Sequence, residues 1–331
     1  MHESEVPSVS IVVLTLNGSD VIRDCLRSTF QNDYPDFEVI VVNNGSTDSV
    51  EEIVATEFPE VRIVSNCENL GYAGGINEGI KIARGDIIIP LNDDTILTPT
   101  VISEMVQPFL SRRKVGIVGC KILYPDKKTI QHAGGAIRQN GSTFHFGYGE
   151  VDDGRFDKMD DVDYVTGCMI ALRREVFEEL GLYDDRYFPT YYEEVEYCVR
   201  ARKAGWRVIY APRAVLYHLE SKTEVAFSPK FLFRFHRSRL RFVLKNFSFY
   251  EILRAVKWEL KYILGGQSRD DRRALFRAYG YVLLRLPWIL YDRGHRFLPM
   301  PPRPERATRA DANSVFEQDQ SPDRSPTHAG A

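Results

Sequence analysis

The 331-residue sequence predicts an α/β fold built on an open, mostly parallel sheet of the nucleotide-binding type. Three observations point to it. From Val9 onward, short apolar runs alternate with amphipathic stretches of helical period. The apolar runs are unbroken Val/Ile/Leu segments, as in strands buried on both faces. Each run then ends in a polar cluster, at the strand end where open α/β sheets bind their ligands.

Taken in order, VSIVVLTL reads as a strand, SDVIRDCLRSTF as a helix and FEVIVVN as a second strand. Residues 48–58 read as a helix, VRIVS as a strand, GINEGIKIA as a helix and DIIIPL as a strand. Thr98 and Pro99 form an N-cap and first-turn pair for a helix over 100–110. Residues 115–217 mix short strands (VGIVG, VTGCMIAL, RVIYAP) with Gly-rich turns and a helix, RREVFEEL, stopped by Gly181. Between 231 and 298, apolar residues recur at helical spacing among arginines, as in amphipathic helices. The tail from Pro301 has the composition of a disordered segment. The expected division is therefore 1–110 and 111–227 as the two halves of the sheet domain, 228–300 as basic helices and 301–331 as tail.

At 44% hydrophobic and 27% charged residues with a formal charge of −3, a wholly disordered chain and a polytopic membrane protein are excluded. Five scattered cysteines without CxxC spacing support neither a disulfide framework nor a cysteine zinc site, and fit a reducing cytosol. The acidic start, MHESEVPSVS, does not read as a secretory leader. The most apolar late segment, 281–291, is interrupted by Arg285 and Pro287 and falls short of the roughly 20 residues that span a bilayer. Charge is unevenly spread: residues 228–300 hold sixteen Lys/Arg against five Asp/Glu, a local balance of +11. Interleaved with Phe, Trp and Tyr, that excess suits an anionic surface, lipid or nucleic acid.

The chemistry is expected where the strands end. These ends are Thr15-Leu16-Asn17, then Asn43 to Asp48, then Ser65-Asn66, then Asn92-Asp93-Asp94. Any single cluster also reads as turn and cap residues. Two adjacent carboxylates directly after a buried strand repel each other, however, and a divalent cation relieves the repulsion. Oxygen ligands suit magnesium or manganese shared with substrate phosphates, so a phosphate-bearing donor is implied.

The segments VSIVVLTLNG, VIVVNNGSTD, ENLGYAGGINEGI, ARGDIIIPLNDDT, VTGCMIALRREVFEELGLYDDRYFPTYYEEVEYCVRARKAGWRVIYAP and AVLYHLES together resemble glycosyltransferase family 2, inverting nucleotide-sugar enzymes of the GT-A fold, and within it the rhamnosyltransferase-like bacterial branch. The resemblance implies that Thr15, Asn17 and Asn43 line the base and ribose, with Asn69, Gly71 and Asn77 near the ribose-diphosphate. Asn92, Asp93 and Asp94 stand at the family's DxD-type motif, with Asp94 as metal ligand and the neutral Asn92 in the first acidic position. His218 aligns with a histidine that joins the metal. Of the acids in YYEEVE, Glu194 takes the place of the general base, a Glu where Asp is usual, and Glu196 is left to pair with Arg200. Thr166, Gly167, Glu193 and His132, the last on a Gly-rich loop, fall on the acceptor side.

The implied cofactor is a manganese or magnesium ion, and the implied donor a dTDP- or UDP-linked sugar such as rhamnose. The acceptor would be a polysaccharide or lipid-linked glycan. Residues 228–300 would then meet an anionic membrane on its cytoplasmic face rather than nucleic acid. Two other readings stay open. A sugar-phosphate nucleotidyltransferase would carry a Gly-rich, basic loop after its first strand, which LTLNGSD lacks. A non-catalytic nucleotide-sugar-binding descendant is suggested by Asn92 and Glu194 at usually aspartate positions.

Overall fold

The computed structural model describes residues 6–220, 228–265, 268–293 and Met300, so the tail from 301 and the first five residues lie outside the described residues. The first half follows the hydrophobic pattern as β1 (Val9–Thr15), α1 (Ile22–Phe30), β2 (Phe37–Asn43), α2 (Val50–Glu57), β3 (Arg62–Ser65), α3 (Gly71–Ile82) and β4 (Ile87–Asn92). These strands lie parallel in the order β4-β1-β2-β3. Their register sets Thr15 opposite Asn43, Asn43 opposite Ser65, and Leu14 opposite Asn92, so the polar clusters share one edge.

The chain continues through β5 (Thr95–Leu97), α4 (Val101–Ser111), β6 (Val115–Leu123), β7 (Ile130–His132), the hairpin β8 (Gly135–Ile137) and β9 (Thr143–His145), and β10 (Asp160–Asp161). Then come β11 (Ile170–Arg173), α5 (Arg174–Leu180), α6 (Glu193–Lys203) and β12 (Arg207–His218). In the main sheet the order is β10-β12-β6-β11-β4-β1-β2-β3, with β5 added to β12 and β7 to β6. Of the run VTGCMIAL only the last part is strand, and β11 runs antiparallel between β4 and β6. An apolar run marks burial on two faces but carries no direction. Alternate strand residues feed two cores. Ile11, Val13 and Val41 pack with α1, α2 and α4, whereas Val12, Ile40 and Val42 pack with α3, α5 and α6 on the other side.

Gly181 ends α5 with φ of 77°, as expected of a C-terminal stop. Thr98 does not cap α4: Thr100 holds the N-cap position, and the Thr98 hydroxyl donates to the Val215 carbonyl at 2.6 Å, tying β5 to β12. Three helices close the described chain, α7 (Pro229–Asn246), α8 (Phe249–Leu264) and α9 (Arg269–Asp292). Ser228, Ser248 and Ser268 each accept an N-terminal backbone N–H, and Ser248 with Glu251 completes a capping box. Among the described residues no helix is long and apolar enough to cross a membrane.

The basic helices are not simply solvated. Lys245 on α7 reaches Asp184 at 2.9 Å and Glu196 at 3.0 Å, and Arg241 reaches Asp184 at 3.1 Å and Asp292 at 2.7 Å. Arg239 makes a bidentate pair with Glu259 of α8, at 2.6 and 2.9 Å, which Tyr279 of α9 joins at 2.7 Å. His236 bonds Asp271 at 3.0 Å. Three of the six cations of α7, Arg239, Arg241 and Lys245, therefore fasten it to the sheet domain and to its sister helices.

Candidate active site

Strand β12 carries a register shift between Ala211 and Val215, around Pro212, and then continues to pair Tyr217 with Ile96 and His218 with Thr95. Because β5 follows Asp94 immediately, this pairing brings together two residues 124 positions apart. His218 Nε2 lies 3.1 Å from Asp94 Oδ1. Its Nδ1 is 2.7 Å from Gln131 Oε1, so Nδ1 donates and Nε2 is left with its lone pair toward Asp94 whenever the ring is neutral. One carboxylate oxygen and one oriented imidazole nitrogen form a donor pair that fits a divalent cation. Among the described residues no cluster of three His, Cys, Asp or Glu side chains forms a metal cage, so a cation here would depend on substrate oxygens and water for its remaining ligands.

Beside this pair, Asp93 and Thr15 converge on Gly18: a Cβ there would fall 2.2 Å from Asp93 Oδ2 and 2.4 Å from Thr15 Oγ1. Burial lifts the Asp93 carboxyl to about 7, with the Thr15 hydroxyl opposing and the Asp94 charge adding to the shift. Asn92 donates its backbone N–H to the Cys168 carbonyl at 2.9 Å. The polar loops interlock next to it. Asn17 Oδ1 accepts from the Thr47 N–H at 2.8 Å, and Asn43 accepts from the Ser46 N–H at 2.9 Å while its amide donates to Glu51 at 2.5 Å. Asn44, within the polar cluster that follows β2, is buried and central. It donates to Asn69 and to the Gly71 carbonyl, both at 3.1 Å, and accepts from Asn66 and the Leu70 N–H.

Gly71, at φ of 74°, has no room for a side chain, since a Cβ would fall 2.7 Å from the Pro189 carbonyl oxygen. Asn77 is buried in α3, and its amide exchanges two 3.0 Å bonds with the backbone of Tyr183. It clamps that loop instead of facing an open space. The acids of α6 follow a turn in which Tyr191 and Tyr192 hold φ of 84° and 76°, the left-handed region that non-glycine residues avoid. Tyr192 donates to the Gly141 carbonyl at 2.8 Å, and its ring packs on Phe235 and Phe242 of α7, as that of Tyr191 does on Phe231. Glu193 is buried, with one carboxyl oxygen accepting from the Thr190 hydroxyl at 3.1 Å and the other without a hydrogen bond. Glu194 is half-buried. Burial pushes both carboxyls up, and the Glu194 charge adds to the shift of Glu193.

Tyr72 joins the two ends of the site. Its hydroxyl donates to the Gly167 carbonyl at 2.5 Å, and burial, then the charges of Glu194 and Glu193, pushes its phenol well up. Thr166, Gly167 and Cys168 thus run between the acids of α6 and the Asn92–Asp94 turn. His132 departs from its expected place. It lies on β7, fully buried, with Nδ1 3.0 Å from His145 Nδ1, and burial holds its ring well below the usual range. Neighbours on a strand face opposite ways, so Gln131 rather than His132 serves the Asp94 side.

A mostly parallel sheet with its polar ends on one edge, an Asp–His pair after β4 and paired acids heading α6 define the GT-A class of fold, and the solved structures below share it. The profile of Glycosyl transferase family 2 matches residues 10–181, and the chain belongs to that family. It is 32% identical over 237 residues to the O-antigen biosynthesis protein RfbC of Myxococcus xanthus, covering 66% of this chain and 18% of that protein. It is 28% identical over 212 residues to the N-acetylglucosaminyl-diphospho-decaprenol L-rhamnosyltransferase of Mycobacterium tuberculosis, covering 56% and 67%. The chain spans 25% and 18% of the length of the two relatives that reach 32% identity. Among solved structures, the mannosyltransferase PcManGT from Pyrobaculum calidifontis in complex with GDP-Man and Mn2+ aligns with a TM-score of 0.52 at 20% identity, over 88% of this chain and 74% of that one. S. aureus TarS 1-349 in complex with UDP-GlcNAc aligns with 0.57 at 14% identity, over 86% and 89%.

Proposed function

We propose that the chain is an inverting glycosyltransferase that moves a sugar, such as rhamnose, from a dTDP- or UDP-linked donor to a polysaccharide or lipid-linked glycan. The observation that carries this reading is the Asp94–His218 pair, oriented by Gln131 at the sheet edge where Thr15, Asn17 and Asn43 gather. Asp94 and His218 would hold a divalent cation, manganese rather than magnesium because one donor is an imidazole nitrogen. The bound cation would neutralise charge on the donor diphosphate. Glu194, more accessible than Glu193, takes the proton of the acceptor hydroxyl as that oxygen bonds to the anomeric carbon. The bond from that carbon to the diphosphate oxygen breaks, and the nucleoside diphosphate leaves with the electron pair. Residues 1–110 serve the donor, 111–227 the acceptor, and 228–300 an anionic membrane on the cytoplasmic side that presents lipid-linked acceptor.

Calorimetric titration of dTDP- and UDP-sugars with and without manganese tests the donor reading, since a specific donor stabilises the folded chain by mass action. Product analysis should show inversion at the anomeric carbon. Donor binding without turnover on any acceptor would favour the non-catalytic descendant. Absence of metal-dependent binding would remove the reading altogether.

A further inference from the structure

Helix α8 is inside out. Its inward side carries Glu259, held in the bidentate pair with Arg239, beside the small Ala255. Its outward side carries Phe249, Leu253, Val256, Leu260 and Leu264, which are 75, 53, 52, 57 and 84% exposed. At 3.6 residues per turn these five fall within an arc of about 80°, a continuous stripe along the helix that packs on nothing described. Arg254, Lys257 and Lys261 lie along one flank of the stripe and are exposed. Glu259 is turned away from them in its buried pair, and Glu251 is engaged in the capping box at the start of the helix. Farther along, Leu284 and Trp288 on the outer side of α9 are 81 and 71% exposed.

We infer that the outward stripe of α8 lies in the plane of an anionic bilayer, its apolar side chains in the acyl boundary and Arg254, Lys257 and Lys261 on the headgroups. This rests on, and narrows, the reading that residues 228–300 meet a membrane. The internally paired cations of α7 take no part. A second copy is the poorer occupant: isologous pairing of this face would bring its three cations close to their own equivalents, whereas anionic headgroups complement them. The stripe is also too short and too flanked by charge to span, which suits an interfacial helix.

The full chain is tested by co-sedimentation with phosphatidylglycerol-containing and pure phosphatidylcholine vesicles, at low and high salt, alongside light scattering and donor calorimetry. Wild type is expected on the anionic vesicles, weakened but not abolished by salt. Leu253→Glu with Leu260→Glu should lower binding at least about 10-fold, two buried leucines being lost. Lys257→Glu with Lys261→Glu should remove the salt-sensitive part. Both variants alter exposed positions and should keep the melting temperature and donor affinity of wild type. Wild-type binding that the leucine variant retains in full would overturn the assignment to α8 while leaving membrane docking in place. No binding by wild type to either vesicle at low salt would overturn both. A wild-type dimer that the leucine variant converts to monomer would hand the face to a second copy.

Discussion

Gln131 and His132 are neighbours in sequence and opposites in space. In the motif IQHAGG the histidine draws attention, yet it is Gln131 that fixes the ring of His218, while His132 is sealed against His145. Gln131→Ala should therefore weaken manganese-dependent donor binding about 10- to 100-fold, the usual cost of losing the partner that orients a metal ligand, with the melting temperature little changed. Asp94→Ala should abolish the metal dependence altogether, read by the same titration. Glu194→Gln should keep donor affinity and lower turnover roughly 10²-fold or more. Because burial raises the Glu194 carboxyl, the base is lost by protonation as pH falls, at a pH above the ordinary Glu value of about 4.3. The acid limb of kcat/KM should accordingly sit higher than for an exposed carboxylate, and the Gln variant should lose that limb. The polar turn that holds Asp94 was legible because it directly follows a buried strand, whereas His218 and Glu194 stood out through the resemblance to glycosyltransferase family 2. The bonds of Asn44, Gln131 and Tyr72 were not legible, since their partners lie on elements distant in the chain.

Helix α3 shows what a pattern does and does not reveal. Its spacing announced a helix from GINEGIKIA, but the helix begins at Gly71, where the Tyr72 N–H donates to the Pro189 carbonyl at 2.8 Å. That start is set by a tertiary bond with no local signature. The glycines in GYAGGINEGI are explained by approach: a Cβ on Gly79 would lie 2.3 Å from Val12 Cγ1, and one on Gly75 would lie 2.5 Å from Leu14 Cδ1. Gly79→Val should force α3 off the sheet and cost about 2 kcal/mol or more in denaturant unfolding. Strand β11 makes the complementary point, since its burial was legible and its antiparallel direction was not. The strands β1 to β4 emerged more completely because β1, β2 and β3 are each followed by a crossover helix, so a regular alternation leaves one parallel arrangement to consider.

Across the whole molecule, the charge of +11 over residues 228–300 is a correct count whose use could not be read from composition. Arg241 and Lys245 meet Asp184 of the sheet domain, a side chain with no exposed surface, and Lys245 also meets Glu196. Counterions contributed by a remote segment leave no trace in a local balance. Burial alone would raise the Asp184 carboxyl, but the nearby Lys245 and Arg241 hold it well below the usual range. A depressed carboxylate stabilises the fold at pH above its unfolded value of about 4, and that stability is lost progressively as pH falls toward the folded value. Asp184→Asn should cost about 1–3 kcal/mol near neutral pH, because Arg241 and Lys245 lose one of two acidic partners and keep Asp292 and Glu196, and its deficit against wild type should shrink on acidification. Thermal melts of both proteins from pH 7 to pH 3 measure this directly.

The left-handed turn at Tyr191 and Tyr192, pressed into place by Phe231, Phe235 and Phe242, bears on modularity. The residues just ahead of Glu193 and Glu194 take their shape from a helix that composition alone assigns to a separate appendage. A chimaera that exchanged everything after the sheet domain would import a foreign brace for the turn that leads into Glu193 and Glu194. For a shuffled gene to keep its chemistry, the crossover belongs in the loop after Asn246, so that α7 travels with the sheet and only α8 and α9 are exchanged.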